Sequence, residues 1–110
     1  MSILDEVFLE EYDRAIRIIR AIENEQISLP KGSIQLKIIH GVKCYYLQYR
    51  DGKKIKSKYI KNDELEEIRL KVSRRNENKI RLSELRENVK KLEKVLGKEI
   101  INEHTTNGIS

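Results

Sequence analysis

The central segment CYYLQYRDGKKIKSKYIK, residues 44–61, constrains the fold of this chain more than any other part. Apolar and polar residues alternate on both sides of Asp51-Gly52, a dipeptide that favours the two-residue turns joining antiparallel strands. A similar run with a period of two lies just before this segment and after Gly32. The pattern predicts a three-stranded antiparallel meander with strands at 33–39, 42–50 and 53–60.

The two turns decide which side chains share a face of the sheet. We predict that Asp51-Gly52 forms the second turn, which pairs Tyr46 with Ser57, and that residues 39–41 form a three-residue first turn. A two-residue first turn would move every side chain of the first strand to the other face. The predicted core face carries Ile34, Leu36, Ile38, Val42, Cys44, Tyr46, Ile55 and Tyr59. The opposite, lysine-bearing face carries Gln35, Lys37, Lys43, Tyr45, Leu47, Tyr49, Lys54, Lys56 and Lys58.

Helices are predicted on both sides of the sheet, at residues 3–26 and 63–97, because apolar residues recur there at steps of three and four. Pro30 cannot continue the first helix, and Asp63 and Glu66 have capping-box spacing at the start of the second. Residues 73–79 contain no apolar side chain, so the continuity of the second helix stays open. The predicted fold class is α+β, with an N-terminal helix, a three-stranded antiparallel β-meander and a long C-terminal helix. Residues 1–98 form one domain in this prediction, and residues 99–110 form a flexible tail.

The second half of the C-terminal helix has coiled-coil spacing of apolar residues. The residues that form this partner-helix stripe are Leu82, Leu85, Val89, Leu92 and Leu96. They suit two arrangements equally: antiparallel packing on the acidic N-terminal helix of the same chain, or a seam with a second copy in a homodimer or with a protein target. The sequence leaves both open.

Positive charge is concentrated in the middle third of the chain. The whole chain has a formal charge of +5, whereas residues 31–61 carry nine lysines and arginines and a single acid, Asp51. Such clustering is typical of proteins that bind a polyanion.

Several other classes of function have no support in the sequence. No apolar run is long enough for a membrane span and no signal-peptide pattern occurs, so we expect no membrane partner. Cys44 is the single cysteine, which predicts a reducing cytoplasmic location without an internal disulfide. Metal-ligand spacing, phosphate-binding loops and nucleophile–base pairs are all missing, so we expect no metal, no cofactor and no enzymatic activity.

The lysine-bearing face is the candidate nucleic-acid-binding surface, because aromatic rings can stack on bases while lysines contact phosphates. A basic pair on the C-terminal helix would extend this surface. The candidate residues are Lys37, Lys43, Tyr45, Tyr49, Lys54, Lys56, Lys58, Arg74 and Arg75. The same pattern also suits a solvated face, a face covered by the N-terminal helix, or a protein-binding face.

The stretch YYLQYRDGKKIKSKYIKNDELEEI, Tyr45 to Ile68, resembles the arm-binding N-terminal domains of phage-type tyrosine integrases. It also resembles a set of short uncharacterised prokaryotic proteins with a tyrosine-rich strand, a D/E-G-K turn and a lysine-rich strand. The integrase resemblance implies that the sheet lies in the major groove of DNA. It would direct Tyr45, Tyr49, Lys54, Lys56 and Lys58 toward the groove. An acidic helix precedes the sheet here and no recombinase domain follows, so the resemblance implies a binding mode and not recombination.

The sequence thus predicts a small non-enzymatic nucleic-acid-binding module that acts through a basic, tyrosine-bearing sheet face. A regulator carried by a phage or mobile element is the context that the resemblance suggests. The alternative is an inhibitor or antitoxin-like protein that docks on a target through its long helix and its lysine-rich hairpin.

Overall fold

The computed structural model describes residues 3–97, and the predicted flexible tail lies outside the described residues. Helix α1 spans Ile3–Ser28, strands β1, β2 and β3 span Ser33–Ile39, Val42–Asp51 and Lys54–Ile60, and helix α2 spans Leu65–Leu96. The strands form one antiparallel sheet in the order β1-β2-β3. The predicted α+β fold, with a helix, a three-stranded meander and a long C-terminal helix, is confirmed.

The contacts divide the chain into two compact units. One comprises the described parts of residues 1–24 and 80–110, and the other comprises residues 25–79. Helices α1 and α2 each run through both units, and α2 is continuous across residues 73–79.

The first unit is a helical pair held by an apolar seam. Its buried side chains are Tyr12, Ala15, Ile19, Ile22, Leu82 and Val89, with Leu85, Leu92 and Leu96 among the partly buried residues packed against them. Polar contacts flank the seam, because the Tyr12 hydroxyl lies 3.3 Å from Glu93 and Arg86 lies 3.1 Å from Glu23. The whole partner-helix stripe therefore packs against α1 of the same chain, which is one of the two arrangements that the sequence left open.

The second unit contains the sheet and the first part of α2. Leu47, Ile60 and Val72 are its buried apolar residues. Partly buried neighbours complete this core: Ile34, Tyr45, Tyr49, Leu65 and Ile68. This second core is small because α2 packs against only one side of the three-stranded sheet.

The first hairpin differs from its prediction. Ile39 pairs with Val42, so the turn has two residues, His40 and Gly41, with φ angles of 51° and 78°. Both lie in the left-handed region that a type I′ turn requires, and histidine enters that region more readily than most non-glycine residues. The predicted three-residue turn was wrong, and the one-residue shift reverses every side chain of β1.

The second hairpin also turns one residue later than predicted. Asp51 pairs with Lys54 across a loop of Gly52 and Lys53, and Tyr46 pairs with Tyr59 instead of Ser57. This register moves each pairing by two positions along β3. Because side chains alternate with a period of two, the faces of β2 and β3 relative to each other are unchanged.

In the polar segment 73–79 of α2, the inward-facing positions carry hydrogen-bonding side chains instead of apolar ones. Arg75 is half-buried and Asn78 is only 3% exposed, and they occupy the positions between Val72 and Leu82 where apolar residues would otherwise recur. Arg75 donates to the backbone carbonyl oxygens of Gln26 and Leu29 at 2.5 and 3.1 Å, and so it binds the last turn of α1 and the residue that follows the helix.

Candidate nucleic-acid interface

The sheet has one side that packs against α2 and one side that does not. On the packed side lie Tyr45, Leu47 and Tyr49 of β2 with Ile60 of β3, all in contact with the second core. We call the other side the open face. Its residues, fixed by the pairing register, are Ser33, Gln35, Lys37, Ile39, Val42, Cys44, Tyr46, Gln48, Arg50, Ile55, Ser57 and Tyr59.

A basic and aromatic strip crosses all three strands of the open face. Tyr46 and Tyr59 are a cross-strand pair whose rings meet edge to face, with centroids 5.6 Å apart and planes at 67°. The Lys37 ammonium lies 4.7 Å from the centroid of the Tyr46 ring, within cation–π range. Tyr59 is 52% exposed, so one of the two rings presents a large surface to solvent.

The charges of the open face are all positive. Lys37 and Arg50 lie on it, whereas no carboxylate does. Asp51, the one acid of residues 31–61, lies on the packed side and forms an ion pair with Lys56 at 2.7 Å. The face therefore offers cations, aromatic rings and the amides of Gln35 and Gln48, a set that can contact phosphates and base edges together.

The structure separates the residues predicted to form the binding surface. Tyr45 and Tyr49, expected on the exposed lysine face, are half-buried on the packed side, and Tyr46 and Tyr59, expected in the core, lie on the open face. Lysines that remain exposed on the packed side are Lys43, Lys54, Lys56 and Lys58. Lys37 lies on the opposite side from them, so the predicted set does not form one surface.

Arg74 and Arg75, predicted to extend the basic surface, both make contacts within the chain. Arg74 holds the Glu25 carboxylate through two nitrogens, at 2.5 and 3.3 Å. Hydrogen bonds from Arg74 and then from Asn78 lower the pKa of Glu25 to about 2, and the same carboxylate raises the pKa of Arg74. Arg75 binds the backbone oxygens of Gln26 and Leu29, so both arginines have contacts within the second unit, while the Arg74 side chain stays 57% exposed.

Sequence reasoning missed Tyr46, Tyr59, Arg50 and Gln48 as surface residues. The signal that would have found them is His40-Gly41, read as a two-residue turn with both residues left-handed. That turn places Ile34 with Leu47 and Ile60 on one side and leaves the Tyr46–Tyr59 pair on the other.

Two further kinds of feature bear on function, a membrane-spanning helix and a metal site. Within residues 3–97, no helix combines the length and apolar character needed to cross a membrane, and no group of His, Cys, Asp and Glu side chains could hold a metal ion.

No curated protein and no solved structure matches the chain. A family model described as a domain of unknown function, DUF6788, matches residues 9–70, from α1 through the sheet to the start of α2. This match covers more than half of the chain, and the protein belongs to the DUF6788 family.

Proposed function

We propose that this protein is a small non-enzymatic nucleic-acid-binding module whose contact surface is the open face of its sheet. The observation that carries the proposal is the strip of Lys37, Tyr46 and Tyr59 on a face without a carboxylate. Lysine and arginine supply phosphate contacts, and an exposed tyrosine ring supplies a surface for stacking or for packing on sugar.

Electrostatics support a polyanionic partner. Residues 31–61 carry nine lysines and arginines against one acid, and that acid is already paired with Lys56. A partner approaching the open face meets Lys37 and Arg50 directly, and the remaining strand lysines lie on the packed side of the sheet. Binding that depends on such contacts releases counterions, so it must weaken steeply as salt rises.

The dimensions of the sheet favour duplex DNA as the first ligand to test. Neighbouring strands lie about 4.8 Å apart, so the outer strands of a three-stranded sheet are roughly 10 Å apart. The major groove of B-form DNA is about 12 Å wide, and the edges of its base pairs present acceptors and donors that glutamine and arginine can match. The integrase resemblance also implies a sheet in the groove, but the residues that it directs there lie on the packed side, so the choice of the open face rests on that face's own residues.

A titration of the purified protein against fluorescent duplex DNA, single-stranded DNA and duplex RNA tests the proposal. We expect anisotropy to rise with duplex DNA at low salt, and log affinity to fall linearly with log salt with a slope of about −0.9 for each phosphate contacted. Absence of binding to all three ligands at low salt would contradict the proposal.

The open face also has a feature that favours a second candidate function, the binding of a protein. Ile39, Val42 and Ile55 are 41%, 61% and 61% exposed there, and exposed aliphatic groups gain more from apolar contact than from contact with phosphate. An inhibitor or antitoxin-like role would use these side chains. In that case Val42→Ser and Ile55→Ser would weaken capture of the target, and treatment with nuclease would leave capture unchanged.

A further inference from the structure

The two edges of the sheet are protected very differently. Strands β1 and β3 are both edge strands of the sheet that the structure describes. Three lysines on one side of β3 protect it, because charged edge residues oppose pairing with another strand: Lys54, Lys56 and Lys58. Strand β1 has the sequence SIQLKII and a single charge, Lys37. It is the edge that is open to pairing.

Helix α2 leaves part of the packed side uncovered at β1. Ile34 reaches the second core and is partly buried. Leu36 and Ile38 lie on the same side of the strand, yet they are 50% and 68% exposed. An apolar row thus begins in the core of the second unit and continues into solvent along the edge strand.

The backbone of β1 presents its free hydrogen-bonding groups at the same three residues. In a two-residue hairpin the pair next to the turn, here Ile39 and Val42, exchanges both backbone hydrogen bonds. Along an antiparallel strand this bonding alternates from residue to residue. The N–H and C=O groups of Ile34, Leu36 and Ile38 therefore point away from β2, toward the open edge.

We propose that β1 pairs antiparallel with β1 of a second copy of this chain, about a two-fold axis at Leu36. Leu36 then lies opposite Leu36 of the second copy, and Ile34 lies opposite its Ile38. These pairs join the outward backbone groups in about six hydrogen bonds, and the exposed apolar row becomes a continuous one shared by both copies. The same register places Lys37 opposite Gln35 of the second copy, so no like charges meet.

The equivalent pairing at the other edge is unfavourable. Antiparallel pairing of β3 with itself about Ser57 sets Lys56 opposite Lys58 of the second copy, twice, and like charges directly opposite each other destabilise a sheet. Space is adequate at the β1 edge. Pairing of the two β1 strands places the β2 strands of the two copies about 14 Å apart. A helix with its side chains is about 10–12 Å wide, so the α2 helices packed on the two sheets fit side by side. The pairing does not depend on nucleic-acid binding, because it uses the edge of the sheet and not its open face.

Sedimentation of the full-length protein over a range of concentrations tests the pairing. We expect a dimer that Ile38→Lys converts to a monomer, because the lysine would face the apolar row of the second copy. The matched control is Ile55→Lys, a residue 61% exposed on the open face of β3, and this variant should remain dimeric. Circular dichroism of both variants establishes that each one is folded.

A disulfide crosslink tests the register without relying on a destabilising change. In a Cys44→Ser background, Leu36→Cys places two thiols across the two-fold axis, where paired backbones lie about 5.5 Å apart, a spacing that suits a disulfide. We expect mild oxidation to crosslink this variant efficiently, and to leave Lys37→Cys in the same background largely uncrosslinked, because residue 37 faces residue 35. A monomer at high concentration, or a dimer that survives Ile38→Lys and does not crosslink at position 36, would overturn the proposal.

Discussion

The side-chain amide of Asn78 donates a hydrogen bond of 2.7 Å to the carboxylate of Glu25 and is 3% exposed. The same amide donates to the side-chain oxygen of Gln26 at 3.2 Å, and the side-chain nitrogen of Gln26 donates to the backbone oxygen of Arg75 at 3.0 Å. Arg74 donates to both oxygens of the Glu25 carboxylate, and one of them is the oxygen that also accepts from Asn78. These contacts join the last turns of α1 to α2 within the second unit, and they replace apolar packing at that level.

We expect Asn78→Ala to lower the free energy of unfolding by about 1–3 kcal/mol. The change removes two hydrogen bonds made by a buried amide, one of them to a charged carboxylate, and hydrogen bonds to charged groups contribute about this much. Asn76→Ala is the matched control, because Asn76 is exposed on the same helix and its loss should cost little. Urea denaturation of the three proteins provides the comparison. Equal midpoints for the two variants would show that the Asn78 contacts contribute no stability.

Glu25 should make stability depend on pH in the acid range. Its pKa is lowered in the folded protein from 4.5 to about 2, so the folded state favours the charged carboxylate. The stabilisation is fully present above about pH 4.5 and is lost as pH falls toward about 2. Glu25→Gln should therefore differ from the wild type most at neutral pH, and the difference should shrink across this window.

Denaturation at a series of pH values measures this difference. Glu66→Gln controls for the loss of one negative charge, because Glu66 belongs to an exposed ion pair with Arg69 at 3.8 Å. A difference between wild type and Glu25→Gln that stays constant from pH 6 to pH 2 would contradict the linkage.

Gly32 should tolerate a side chain less well than Gly52. Both have positive φ, at 115° and 63°, but a Cβ atom on Gly32 would collide with the backbone carbonyl of Gln48, whereas one on Gly52 would meet open space. We expect Gly52→Ala to cost about 1–2 kcal/mol from backbone strain alone, and Gly32→Ala to cost clearly more. Thermal unfolding of both variants gives the comparison. A Gly32→Ala variant as stable as Gly52→Ala would mean that the chain around residue 32 differs from the structure described.

Secondary structure could be predicted from the sequence because each element carries its own local signal. Helical steps, the period of two and the stop at Pro30 placed all five elements to within a few residues. The faces of the sheet could not be predicted in this way. They depend on one turn residue, His40, whose left-handed conformation is uncommon for a side chain with a Cβ atom.

Apolar sorting favoured the wrong face for a physical reason. Placing Ile34, Leu36 and Ile38 beside Tyr46 makes a cleaner apolar surface than the true arrangement, in which Leu36 and Ile38 stay exposed. Sorting by apolar character assumes that the apolar side chains of a sheet are buried together. This assumption fails at β1, which keeps apolar groups exposed and where we propose that a second copy pairs. The roles of Arg74 and Arg75 were equally hidden, because their partners lie 49 residues away in the chain.

The central claim is that the open face binds nucleic acid, and a pair of double variants tests it most directly. Lys37→Gln with Arg50→Gln removes two charges from the open face, and Lys54→Gln with Lys58→Gln removes two from the packed side. We expect the first double variant to reduce the salt slope for duplex DNA by about two units, at about 0.9 per lost phosphate contact, and the second to change it by much less. Fluorescence anisotropy over a range of salt concentrations measures both slopes. A larger loss of slope from the packed-side variant, or no change from the open-face variant, would contradict the account.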